Sequence, residues 1–372
     1  MVGSIKNDGP VEISPGVYWV GSSTSDLLRR NVYLRVYAGK GDNYSMLVDP
    51  GPPQDFEIVY GKVCSVIKDP EHLNLITINH QDPDVGASTP RWLKLNPKII
   101  VLMSEDTWRL AQYFGIEQRN FKAVERFKDK RVPLPTGHVL QFVPTPFCHF
   151  RGACMVYDIA SRILFTGDLF GGIAAMNLYA DDSSWMGIKA FHQLYMPSND
   201  ALKLSVRRIR ELDPPPLVIA PQHGGIIRGD LIERLLGRME DLVVGLDIIV
   251  PLENKMPLLV RAINSTLTAA QEVAGTDVTG RVMKLFYHDA SYPSIFALDE
   301  DDAVTDIKAE PLSAIDAFVR QLFRHCSEDQ RNKLRMRIMK IFLEQNLPPP
   351  DSAFSEEDDQ GGRVDHRGGF TA

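Results

Sequence analysis

Three metal-ligand side chains alternate through Asn79-His80-Gln81-Asp82-Pro83-Asp84-Val85, at the end of the apolar run Leu73–Ile78. Such a run reads as a buried strand, and the polar burst after it places one imidazole and two carboxylates where the strand leaves its sheet. In extended or turn backbone the spacing 80, 82, 84 can aim all three at one point, and Pro83 stiffens the turn between the carboxylates. Imidazole with carboxylate suits iron, manganese or zinc better than metals that prefer thiolate. Taken alone, the heptad would read more readily as a solvated polar loop after a strand.

Three later stretches repeat the form, each an apolar run ending in one ligand-type residue. They are Val143-Pro-Thr-Pro-Phe-Cys-His149-Phe, Ile163-Leu-Phe-Thr-Gly-Asp168-Leu-Phe-Gly-Gly and Leu217-Val-Ile-Ala-Pro-Gln-His223-Gly-Gly. Gly167, Gly171, Gly172, Gly224 and Gly225 let the backbone turn sharply beside those side chains. Four strand ends therefore supply His80, Asp82, Asp84, His149, Asp168 and His223 as candidate metal ligands.

The order and spacing of these stretches resemble the metallo-β-lactamase superfamily, and within it the dinuclear iron core of flavodiiron proteins and their flavin-free oxygen-binding relatives. The first motif of that core runs His-x-Glu-x-Asp-His. This sequence resembles it at His80, at Asp82 in place of Glu and at Asp84, and it carries Val85 where the second His would stand. Thr145-Pro-Phe-Cys-His149, Phe165-Thr-Gly-Asp168-Leu-Phe-Gly and Pro221-Gln-His223-Gly resemble the remaining ligand stretches, so the likeness covers residues 11 to about 245.

The resemblance implies an αββα sandwich, an α/β layered fold. His80, Asp82 and His149 would hold one metal and Asp84 and His223 the other, with Asp168 bridging. It also implies an open position at the second metal, since valine has no donor to fill it. The function that follows is a non-haem diiron protein that binds O2 or another small gas ligand at that position. It would act as a sensor or carrier, or as an O2 or NO reductase fed by an external electron donor. The alternative is a hydrolase of the same fold, in which zinc or manganese replaces iron and activates water. Most superfamily hydrolases present His at the positions of Asp82 and Val85, so the departure at both places argues for iron.

The positioning elements are read as follows. Val11–Val20, Asn31–Tyr37 and Tyr44–Gly51 read as an opening meander, whose last turn Asp49-Pro50-Gly51 is explained by turn chemistry, with Asp49 either structural or a support behind the metal ligands. Helices are expected over about 56–67, 88–95, 105–113, 200–212 and 231–244, the last opened by a capping-box-like Asp230-x-x-Glu233. Strands alternating with helices make a layered α/β domain. Ala153–Tyr157 and Arg162–Thr166 pair as a hairpin, delivering His149 at one end and Asp168 at the other.

Residues 173–199, with Met176, Tyr179, Trp185, Met186, Phe191, His192 and Tyr195, read as irregular chain, either a lid over the metals or a loop packed on the core. His192 is at best a donor in a pocket there. His72 and His138 are expected in turns away from metal, and Cys148 as a packing thiol.

The expected organisation is a metallo-β-lactamase-like diiron domain over 1–247, a helix-rich extension over 248–347 and a disordered tail over 348–372. Two amphipathic stripes in the extension, Ile315–Phe323 and Leu334–Phe342, must bury apolar faces, on the first domain, across a homodimer or on a signalling partner. Ser327 and Gln330 are expected to cap the second of these helices. No phosphate-cradling loop of flavodoxin type occurs after residue 250, so no flavin is expected in this chain.

A net charge of −7 gives no electrostatic case for nucleic acid, and 44% apolar residues suit a globular core. The four cysteines lack CxxC spacing, and no apolar run approaches the ~18 residues of a membrane span. A soluble cytoplasmic protein is the expectation.

Overall fold

The computed structural model describes residues 9–22, 27–39, 43–175, 177–249, 255–288 and 295–354. The chain divides into two compact units between residues 250 and 251.

The first unit is built on two sheets. β1 (Val11–Ser14), β2 (Val17–Trp19), β3 (Tyr33–Tyr37) and β4 (Tyr44–Val48) run antiparallel as the expected meander. After α1 (Phe56–Ile67), β5 (Leu73–Thr77) adds parallel to β4. It leads through α2 (Pro83–Gly86) and α3 (Thr89–Leu95) to β6 (Ile100–Met103), then α4 (Glu105–Ala111) and β7 (Phe121–Ala123), all in one seven-stranded sheet. The second sheet holds β8 (Arg131–Pro133), β9 (Val139–Pro144), β10 (Cys154–Asp158) and β11 (Ile163–Gly167). After α5 (Trp185–Tyr195) and α6 (Asn199–Arg210), β12 (Val218–Pro221) joins β11 in parallel and β13 (Ile227–Arg228) closes the edge. α7 (Leu231–Glu240) and α8 (Leu246–Ile249) complete the unit.

Period-2 alternation sorts the side chains into layers. Tyr33, Tyr37, Met46, Val48 and Leu75 meet Leu140, Phe142, Val156 and Phe165 between the sheets. The alternate residues Leu34, Leu47 and Ile76 pack with Val59, Val63 and Trp92 of α1 and α3 on the other face. The result is the αββα sandwich that the ligand motifs implied. The two sheets are also tied by Arg35, whose Nε lies 2.7 Å from Oδ2 of fully buried Asp158.

β10 and β11 form the expected hairpin, with Val156 opposite Phe165 and Asp158 opposite Ile163. Two local expectations fail. The stretch read as irregular contains α5, entered through Asp181 and Ser184, which form a reciprocal capping box. Its Gly187 reads as loop but is required in the helix, because a Cβ there would lie 2.3 Å from the Ile173 carbonyl. Met176, named with that stretch, lies outside the described residues. Asp230 makes no side-chain cap on α7, because its backbone is already helical at φ −65 and ψ −15, and Glu233 pairs with Arg210 of α6 at 2.7 Å and does not reach back to it.

The second unit comprises α9 (Met256–Ala274), α10 (Thr276–His288), the hairpin β14 (Phe296–Leu298) and β15 (Val304–Ile307), α11 (Pro311–Arg324) and α12 (Glu328–Glu344). Ser327 and Gln330 make the expected capping box. The stripe Ile315, Phe318, Val319, Leu322 and Phe323 is buried, and α12 packs on α9, with Met339 and Leu343 buried where Ile341 is not. On α12, Lys333 pairs with Asp329, Arg337 with Glu272 and Lys340 with Glu344, so part of its positive charge is compensated within the unit. The tail expectation needs correction at its start, because residues 351–353 form a 3-10 turn with Ser352 and Ala353 buried. Residues 355–372 lie outside the described residues.

Candidate metal centre

All six candidate ligands converge at the ends of strands in the first unit. His80, Asp82 and Asp84 follow β5, His149 lies between β9 and β10, Asp168 follows β11 and His223 follows β12. Donor atoms of His80, Asp82, His149 and Asp168 lie within 4.8 Å of one another. Asp168 faces both ways. Its Oδ2 is 3.4 Å from His80 Nε2 and 3.2 Å from His149 Nε2, while Oδ1 is 3.7 Å from His223 Nε2. Asp82 Oδ2 is 3.0 Å from His149 Nε2, and Asp84 Oδ2 is 3.2 Å from His223 Nε2. Two donor groups therefore share one carboxylate.

His80 Nε2 and Asp168 Oδ1 are buried and make no hydrogen bond within the chain. Orphaned buried polar atoms are costly, and a cation between them removes the cost. The donor set of imidazole and carboxylate oxygen suits divalent iron, manganese or zinc. On both grounds the residues fit a dinuclear metal. Access is one-sided: the side chains of His80 and Asp168 are almost wholly buried, whereas His149, Asp82 and Asp84 retain 21%, 33% and 31% exposure.

Backbone and amide groups aim the ligands. His223 Nδ1 lies 3.0 Å from the Arg29 carbonyl, which fixes its proton there and turns Nε2 toward Asp84 and Asp168. The buried Arg29 guanidinium donates to the Gly224 and Asn177 carbonyls, bracing the same turn. Gln81 Nε2 donates to Asp82 Oδ1 at 2.7 Å, and Gln222 Nε2 donates to the Asp84 carbonyl at 3.2 Å. Asp49 lies behind the site and accepts the Asn79 amide at 2.9 Å, fixing the residue before His80. Burial pushes its carboxyl up to about 7. Sequence reasoning missed Arg29, Gln81 and Gln222; Gln81 and Gln222 adjoin ligands in sequence, but nothing in the chain shows which way an amide points.

Val85 is fully buried in the apolar layer with Ile78 and Trp92. His138 bonds to Thr136 and packs on Tyr37, and His72 bonds to the Ile67 carbonyl, so neither approaches the centre. Cys148 is buried against Ser205 and Ala201 as a packing thiol. α5 forms one wall: Phe191 lies 5.4 Å from the His223 ring and Tyr195 6.0 Å from the His149 ring. His192 is not a donor into the pocket. It is buried, with Nδ1 2.7 Å from the Ile188 carbonyl and Nε2 accepting the Phe170 amide at 3.0 Å.

The turns carrying Asp168 and His223 touch at glycine. Gly224 has φ +82, and a Cβ on it would lie 2.7 Å from Gly172 N. Gly224→Ala should therefore cost about 1–3 kcal/mol of stability and weaken metal uptake, read by thermal melting and metal analysis. Unchanged melting and metal content would show that the turns separate freely.

A profile described as ODP family beta lactamase matches residues 28–224. The chain belongs to that family. A structure of the peroxy diiron species of the chemotaxis sensor ODP is 28% identical with a TM-score of 0.55, covering 65% of this chain and 98% of that one. Type A flavoprotein fprA of Rhodobacter capsulatus is 28% identical over 239 residues, 59% of this ODP-family chain and 53% of the flavoprotein. A nitric oxide reductase of Moorella thermoacetica is 25% identical over 59% of this chain and 58% of its own. The chain thus spans little more than half the length of these curated relatives. The resemblance read from the ligand motifs is borne out. No helix among the described residues is long and apolar enough to cross a membrane.

Proposed function

We propose that this protein holds two iron ions and binds O2 or a related small gas at that centre. It acts as a sensor or carrier, or as an O2 or NO reductase with an external electron donor. The observation that carries the reading is Asp168, whose two oxygens face different histidines across a buried site. His80, Asp82 and His149 serve one ion, Asp84 and His223 the other, and Asp168 both. A reduced iron pair held by these residues would supply the electrons on which binding or reduction of a small gas depends. Phe191 and Tyr195 exclude water from the α5 side, while Asp82, Asp84 and His149 border the exposed side. Gln81, Gln222 and the Arg29 carbonyl hold the ligands in place. The proposal needs no flavin within this chain: as a reductase it would draw electrons from a separate donor, and as a sensor it would pass the ligand signal to a separate partner.

The hydrolase reading is not favoured, because the relatives reported above are a diiron sensor, a flavoprotein and a nitric oxide reductase. The test is to reduce the iron-loaded protein anaerobically and follow its visible spectrum as O2 is admitted. A new band supports the proposal, and its reversal on removing O2 separates a sensor or carrier from a reductase. A silent spectrum from iron-loaded protein contradicts it.

Metal uptake should release protons. Without metal, burial lowers the pKa of His80, but the Asp168 and Asp82 carboxylates outweigh it and bring it to about 9. For His149 the same opposition ends at about 10. Both folded values exceed 6.5, so the stabilisation from these pairs is full below 6.5 and is lost as pH rises through 9 and 10. Asp82, Asp84 and Asp168 are held below the ordinary carboxylate range by their histidines despite burial, so their share is lost as pH falls below 3.8. Loading at neutral pH should release about two protons, and apparent affinity should climb with pH to about 10. Calorimetry in buffers of different ionisation enthalpy reads the count, and a count of zero contradicts the prediction.

A further inference from the structure

We propose that His192 is a positioning residue for the metal centre, holding the turn of the bridging carboxylate Asp168 by accepting the Phe170 amide. The inference rests on the dinuclear reading given above. It starts from the two ring nitrogens. The Ile188 carbonyl, 2.7 Å from Nδ1, can only accept, so the proton sits on Nδ1. Nε2 is left with its lone pair facing the Phe170 N–H at 3.0 Å. The imidazole is wholly buried and reaches no solvent.

Phe170 needs that partner. It is fully buried, with φ +66, a left-handed conformation that a bulky side chain adopts only when its surroundings impose it. Without His192 its amide would be a buried donor left unpaired. The same turn is closed by Gly171 N donating to the Asp168 carbonyl at 2.7 Å, and by Thr166 Oγ1 donating to the Leu169 carbonyl at 2.6 Å. His192 ties the turn itself to α5, and just beyond it the Ile173 amide donates to the Gly187 carbonyl of the same helix at 3.3 Å. That helix also sets Phe191 against His223 and Tyr195 against His149. A carboxylate that must address two metal sites tolerates little rotation of its backbone. Releasing the turn therefore misdirects one or both Asp168 oxygens, although no ligand has been removed.

The test compares His192→Gln, whose Oε1 can still accept the amide, with His192→Leu and His192→Met, which lack a comparable acceptor. Ferrous iron is titrated anaerobically into metal-free full-length protein, and each variant's melting temperature is measured without metal. His192→Leu and His192→Met should lose about 10–100-fold in iron affinity, the usual effect of removing a partner that orients a ligand. His192→Gln should stay within about threefold of wild type, and this rescue separates acceptance of the amide from mere packing. If neither acceptor-less variant folds, His192→Gln alone decides, near-wild-type affinity supporting the proposal and a tenfold loss overturning it. Wild-type affinity in a folded Leu or Met variant overturns it, as does equal weakening in all three. A wild-type chain that takes up no iron defeats the dinuclear reading itself, a different outcome from any of these.

Discussion

Asp168→Ala should abolish metal uptake in both halves of the centre while leaving the fold in place. Asp168 Oδ2 faces His80 and His149, and Oδ1 faces His223, so one substitution removes a donor from both groups. The loss should exceed the ~10–100-fold expected when only an orienting partner is removed. Asp168→Asn separates charge from shape, since the amide keeps the volume but cannot present two anionic oxygens. It should lose one site outright and weaken the other. Metal analysis after anaerobic loading checks both variants. Wild-type metal content in Asp168→Ala would take Asp168 off the bridge.

The largest loss of stability should come from Asp158→Ala. Asp158 is fully buried, its Oδ2 accepts from Arg35 Nε at 2.7 Å and from Ser161 Oγ at 2.6 Å, and it joins β10 to β3 across the sandwich. Removing it leaves a nearly buried guanidinium without its carboxylate, which costs about 3–5 kcal/mol. Urea unfolding reads this as a fall in midpoint, and a change below about 1 kcal/mol would mean that water replaces the carboxylate. The metal ligands lie at the strand ends and not at this pair. Protein that remains folded at low temperature should still bind metal.

Much of the centre was legible because each ligand stretch follows an apolar strand-like run. Leu73–Ile78, Val143, Ile163–Thr166 and Leu217–Ala220 mark strands by composition, and a His or Asp directly after a strand stands out. The Gly-Gly pairs at 171–172 and 224–225 signalled tight turns, and Gly224 does lie against Gly172. What the sequence hid depends on contacts between distant segments. Arg29 orients His223 across 194 residues, and no local pattern announces that. Gln81 and Gln222 look like ordinary polar neighbours until their amides are seen to hold the carboxylates. α5 was obscured by Gly187 and by the Asp and Ser residues before it, whose capping role appears only once the helix exists. The spacing of Ile188, Phe191, His192 and Tyr195 was helical throughout. The Gly, Asp and Ser residues that flank it carry the opposite, turn-type signal. Asp230 shows the opposite case: the capping pattern is in the sequence, but the backbone at Asp230 is already helical, so its side chain makes no cap, and Glu233 pairs with Arg210.

The most direct test is the stoichiometry of ferrous iron bound by the metal-free chain under anaerobic conditions. Saturation at two ions per chain, falling to none in Asp168→Ala, is the result predicted for a carboxylate shared between two ions. Saturation at one ion, or no uptake by wild-type protein under conditions where it is folded, would contradict the account at its centre.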